Sequence, residues 1–119
     1  MEKKNLDWEN IGFAYHQTDK RYVSNFKDGQ WDEGTLTSDP NVVLNECAGI
    51  FHYCQECFEG LKAYTTEDGS IVTFRPDQNA ERMMNSAKGL EMPPFPKERF
   101  LDAVDQVVRA NEAWVPPYG

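Results

Sequence analysis

The stretch "LKAYTTEDGSIVTFRPDQNAERMMNSAKGL", residues 61–90, decides the fold class. Its first part has the two-residue period of a strand: Leu61, Ala63 and Thr65 share one face, Lys62 and Tyr64 the other. Asp68-Gly69 marks a turn, and a second strand follows over residues 71–75. After Pro76 the period changes. Asp77 and Glu81 fall in the early turns of a helix, and Lys88-Gly89 closes it, as the helix dipole and C-cap preferences require. Met83, Ala87 and Leu90 recur at intervals of four and three, with Met84 widening the apolar stripe.

Upstream, "RYVSNFKDGQWDEGTLT" (21–37) carries Tyr22, Val23 and Phe26 before Asp28-Gly29, then Trp31 and Leu36 after it. Aspartate-glycine between two apolar-bearing segments predicts another hairpin. Residues 47–58 read as a central helix-like piece. Downstream, "MPPFP" (92–96) interrupts the helical pattern because proline cannot continue a helix interior. A longer helix from Lys97 lines up Phe100, Leu101, Val104, Val107 and Val108. Strands, a central helical piece, a hairpin and two helices give an α+β fold class: an antiparallel sheet with helices packed on it. The whole of residues 1–119 reads as one domain, ending in the linker-like "WVPPYG".

Twenty acidic residues against 12 Lys plus Arg leave a net charge of −8, which disfavours nucleic acid and anionic membrane surfaces. No repeat is visible, and no apolar run approaches transmembrane length. Three cysteines do not suggest a secreted disulfide scaffold, so the chain reads as soluble, reduced and cytoplasmic.

All three cysteines cluster with one histidine in "CAGIFHYCQEC" (47–57). Cys47, His52, Cys54 and Cys57 could in principle supply a zinc or redox module. On one uninterrupted helix, however, His52 points about 140° away from Cys47. Glu46, Glu56 and Glu59 surround the Cys54/Cys57 pair and oppose thiolate formation. Core packing is the simpler reading of these cysteines, and a solvated face that of the acidic pairs. No phosphate-cradling glycine motif occurs.

"FHYCQECFEGLKAY" (51–64) followed by "FRPDQNAERMMNSAKGLEMPPFP" (74–96) resembles the N-terminal small domain of branched-chain amino acid aminotransferases, pyridoxal-phosphate enzymes of fold type IV. "RYVSNFKDGQWDEG" (21–34) and "VVRANEAWVPPYG" (107–119) extend the resemblance over nearly the whole chain. It implies transfer of the amino group of leucine, isoleucine or valine to 2-oxoglutarate in a two-stage cycle, by a homodimer. In "NAERM" it assigns Arg82 to the cofactor phosphate, a role suited to a planar guanidinium. Phe13, Tyr53 and Phe58 correspond to substrate-pocket aromatics, and Gly60 to a point of close backbone approach. Read without the family, the three rings are ordinary core residues. Gly60 could equally cap a helix before Leu61.

Cys54 departs from the glycine or alanine common at its position, a change small enough to be tolerated by packing. The resemblance places the Schiff-base lysine in a larger C-terminal domain beyond Gly119, so Lys62 of "LKAY" is not the catalytic lysine. Residues 1–119 then form a small domain complete up to the interdomain linker, and are expected to be inactive alone. The competing readings are a D-amino acid aminotransferase or related type IV enzyme, and the zinc or redox module.

Overall fold

The computed structural model describes residues 1–119. Arg21–Val23 (β1) pairs antiparallel with a later strand, Thr35–Thr37 (β4). Between them Phe26–Lys27 (β2) pairs with Gln30–Trp31 (β3). The turn joining β2 and β3 is the expected Asp28-Gly29, with φ of 53° and 82°. Positive φ at both central residues is the type I′ geometry whose twist matches the flanking strands. Gly49–Tyr53 (α1) follows, then the second hairpin, Ala63–Thr65 (β5) against Ile71–Thr73 (β6), with Tyr64 opposite Val72. Pro76–Gly89 (α2) and Lys97–Ala110 (α3) complete the order, with single 3₁₀ turns at Trp8–Asn10 and Glu112–Trp114.

The α+β class holds. The antiparallel pairing is divided into three two-stranded ladders rather than one sheet. Leu61, Ala63, Thr65, Ile71 and Thr73 are partly covered, while Lys62, Tyr64 and Val72 face out, so the alternation read from the sequence is realised.

α2 packs against α3, and α3 against β1. Ala80 and Ala87 of α2 are buried, their small side chains allowing the helices to approach; Ala113 and Val115 are buried beyond α3. The proline segment between the helices is pinned to the first hairpin. Trp31 Nε1 donates to Pro94 O at 3.0 Å, and its ring meets Phe95 edge-on at 5.0 Å. Asn111 ties the end of α3 to the start of β1: its Oδ1 accepts from Lys20 N at 2.9 Å, and its Nδ2 donates to Lys20 O at 2.7 Å.

Several expectations need correction. α3 is not the longer helix, since both have 14 residues. α2 closes at Lys88-Gly89 as expected, but Gly89 is itself helical and the left-handed position falls on Glu91 (φ 57°), after which Met92 N returns to Ala87 O at 2.8 Å. Residues 47–58 are not one helix. α1 ends when Cys54 adopts a left-handed conformation (φ 51°, ψ 36°), so no helical wheel relates the cysteines, and no helix reaches Gly60 for it to cap. Nor do the cysteines pack in a core: Cys47 and Cys54 are exposed and Cys57 is half-buried. No helix is long and apolar enough to cross a membrane.

Candidate functional site

Arg82 lies in the second turn of α2, on the side that faces the segment Phe58-Glu59-Gly60. The proline at the first helical position and Asp77 in the first turn start this helix. Arg75, just before the helix, clamps Asp77 with Nε to Oδ1 at 3.0 Å and Nη2 to Oδ2 at 2.8 Å. That pairing holds the Asp77 carboxyl far below the usual carboxylate range.

Arg82 engages Glu59 in the same two-pronged way. Its Nε donates to Glu59 Oε1, and its Nη2 donates to Oε2 at 2.9 Å. The exposures are unequal: the Arg82 side chain is 70% exposed, and that of Glu59 only 7%. Asn79, three residues before Arg82, shares its helix face. Its Nδ2 donates to Glu59 Oε2 at 2.7 Å and to Gly60 O at 3.0 Å. The Arg82 guanidinium, followed by Asn79, holds the Glu59 carboxyl below its ordinary value against the opposing effect of burial. Arg75, Gln78, Asn79, Glu81, Arg82 and Asn85 line an open cleft of about 550 Å³ along this face. Glu81 is drawn aside by Lys97 Nζ at 2.8 Å. Two guanidinium groups and three side-chain amides make this a surface suited to an oxyanion.

The aromatic candidates are not core residues. Phe13 is 108%, Tyr53 85% and Phe58 90% exposed, so the reading of these rings as ordinary packing is overturned. Phe58 lies against Gly60, where an added Cβ would stand 3.3 Å from its ring. Phe58, Gly60 and Arg82 are thus brought into one neighbourhood through Glu59. Tyr53 ends α1. Phe13 lines a separate cleft of about 1100 Å³ with Lys62, Tyr64 and Tyr118.

Around the cysteines the structure gathers no group of three or more His, Cys, Asp or Glu side chains able to hold a metal ion. His52 Nε2 instead meets Glu46 O at 2.7 Å. Sequence reasoning missed Glu59 and Asn79. As a sequence Glu59 reads only as a charge near the cysteines; in the structure its side chain is largely covered, while no acidic residue is fully buried. The available signal was Asn79 and Arg82 at helical spacing beside a polar residue between Phe58 and Gly60.

No family model matches the chain. It is similar along almost its whole length to curated proteins named as aminotransferases. A branched-chain-amino-acid aminotransferase of Haemophilus influenzae is 53% identical over 116 residues, 98% of this chain and 34% of that protein. One of Helicobacter pylori is 44% identical over 115 residues, 97% of this chain and 34% of that protein. A methionine aminotransferase of Arabidopsis thaliana is 42% identical over 116 residues, 97% of this chain and 33% of that protein. The chain therefore spans about a third of the length of the curated relatives it matches. These similarities support the branched-chain resemblance, and favour neither the D-amino acid enzyme nor the zinc or redox module.

Proposed function

We propose that this homologue of the branched-chain-amino-acid aminotransferases is the small-domain part of a pyridoxal-phosphate-dependent transaminase. The enzyme moves the amino group of leucine, isoleucine or valine to 2-oxoglutarate. The observation that carries the reading is similarity over the whole chain to proteins of that name, of which the chain makes up one third. A cytoplasmic homodimer, with the large domain following residue 119, belongs to the same reading.

The residues present fit the cofactor's phosphate end. With Nε and Nη2 turned to Glu59, the outer edge of Arg82 remains available to phosphate oxygens, in a cleft that also holds Gln78 and Asn85. When bound, pyridoxal phosphate supplies the electron-accepting ring that makes transfer of the amino group feasible. Tyr53 and Phe58 supply apolar wall for a branched side chain, Phe13 adds a ring from the neighbouring cleft, and Gly60 leaves room for close backbone approach beside Phe58. Solvent-exposed rings of this size are suited to meeting another surface. The catalytic lysine comes from the large domain, so these 119 residues bind and orient but do not react.

A second substrate reading is favoured by one observation, the methionine aminotransferase at 42% identity. Apolar pockets separate side chains differing by one methylene by only about 10–200-fold. The test is transamination by the full-length protein containing this segment, with leucine, isoleucine, valine, methionine and D-alanine as donors. The branched-chain donors are expected to lead in kcat/KM by about tenfold or more. A lead by methionine or D-alanine overturns the substrate assignment. Residues 1–119 alone are expected to show no turnover. Leucine-dependent turnover abolished by Lys62→Ala would overturn the assignment of the reactive lysine to the large domain.

A further inference from the structure

We infer that Glu59 is a positioning residue, whose largely covered carboxylate holds Arg82 by its inner edge and so aims the outer edge at the cofactor phosphate. The inference rests on the reading of Arg82 given above and extends it to a residue that the family resemblance did not assign.

Surface ion pairs contribute little, because two mobile side chains must be ordered in a medium that screens them. The pair here is different. The Glu59 side chain is largely covered by its neighbours, and a covered carboxylate is held in place by the donors that meet it. It has three: Arg82 Nε, Arg82 Nη2 and Asn79 Nδ2. Asn79 is itself fixed by its second hydrogen bond, to Gly60 O. The carboxylate is thus an anchored point on the protein, and the exposed arginine is oriented by it.

Donor count sets what remains. A guanidinium has five N–H groups in one plane. Glu59 takes Nε–H and one Nη2–H, which leaves both Nη1–H groups and the second Nη2–H on the outer edge. Of these, the second Nη2–H and one Nη1–H run parallel at the tip, a two-pronged fork that matches two phosphate oxygens. An unheld arginine would lose rotamer freedom on binding phosphate; Glu59 removes part of that loss beforehand. Because Glu59 stands between Phe58 and Gly60, the same contact sets the distance from the phosphate end to the aromatic wall.

The opposite account is that the Glu59 charge competes with phosphate for Arg82 and weakens binding. The two accounts differ in sign, so affinity decides between them. In the full-length protein, dissociation constants are measured by equilibrium dialysis for pyridoxal phosphate and for pyridoxal, which lacks the phosphate. E59Q is expected to bind pyridoxal phosphate roughly tenfold more weakly, with pyridoxal unchanged. In an R82A background E59Q should add nothing further. Equal or tighter binding of pyridoxal phosphate by E59Q overturns the inference, as does an equal loss for both ligands. R82A tests the underlying reading separately: if it leaves pyridoxal phosphate affinity intact, Arg82 is not the phosphate ligand, whatever E59Q does. Should E59Q fail to fold, N79A repeats the test by removing one clamp on the carboxylate. Its expected loss is roughly threefold and confined to the phosphate form, and no loss would overturn the inference.

Discussion

Gly34 is where the first hairpin loses one residue of register. Val23 faces Thr35 and Phe26 faces Trp31, so residues 32–34 stand opposite only residues 24 and 25. This is a β-bulge. Asp32 organises it, its Oδ1 accepting from Ser24 Oγ and from Gly34 N, each at 2.9 Å. Gly34 has φ of 74°, and a Cβ there would lie 2.0 Å from the hydroxyl oxygen of Tyr22 and 2.5 Å from its ring. Gly34→Ala must therefore adopt a left-handed backbone and also displace a tyrosine. Gly29, with φ of 82°, has nothing within 4 Å of the same position. Gly29→Ala should cost about 1 kcal/mol, the left-handed penalty alone, and Gly34→Ala about 2–4 kcal/mol. Urea unfolding of the two variants gives the order directly, and equal losses would contradict the clash. Composition and period do not reveal this bulge, because nothing local distinguishes Gly34 from a turn glycine. Arg82 was legible through the family wording around it. Glu59 was not, since its meaning lies in its contacts with Asn79 and Arg82 on a helix some twenty residues away in sequence.

The second hairpin is the element that the sequence showed most openly, and its turn contains an acid–base device. Thr66 N donates to Ser70 O at 2.8 Å, and Gly69 N to Thr66 O at 2.9 Å, closing a three-residue loop. The Asp68 carboxylate accepts from Thr66 Oγ1 at 2.5 Å and from Ser70 N at 3.0 Å. The Thr66 hydroxyl first, then Ser70, lowers its pKa to about 2. An unfolded aspartate titrates near about 3.9. Since the folded value is the lower, the stabilisation is present above about pH 4 and is lost as pH falls through 2. The Ser70 amide resonance should therefore titrate with a midpoint near 2, and Asp68→Asn should remove that transition. A midpoint at the ordinary aspartate value would show that the turn does not hold the charged form. Strand alternation and the helix stripes survived into the structure because they depend on neighbours in sequence. The segment 47–58 did not, because its path is set from outside: Gln55 Nε2 reaches Leu90 O at 2.9 Å, beyond the end of α2.

For the whole molecule, surface area is the informative quantity. A compact monomer of 13.7 kDa exposes roughly 6,600 Å²; this chain exposes 9116 Å². Its radius of gyration is 16.0 Å, against roughly 13.5 Å for a compact domain of the same length. The excess, roughly 2,500 Å², matches one partner's share of a large obligate interface. Apolar side chains supply much of it, among them Phe13, Val43, Tyr53, Phe58 and Phe74. Residues that would be ordinary core in a complete small protein therefore lie open here, a surface another unit could cover. Under the proposed function that unit is the remaining two thirds of the enzyme. The 119 residues alone should then bind a hydrophobic dye strongly and self-associate, with light scattering giving a mass above the monomer's. In the full-length protein, dye binding per molecule should fall severalfold, and Tyr53 and Phe58 should become protected from covalent surface labelling. A monodisperse, dye-silent monomer of the isolated chain, or rings equally labelled in the full-length protein, would mean that this apolar surface is not where the rest of the enzyme sits.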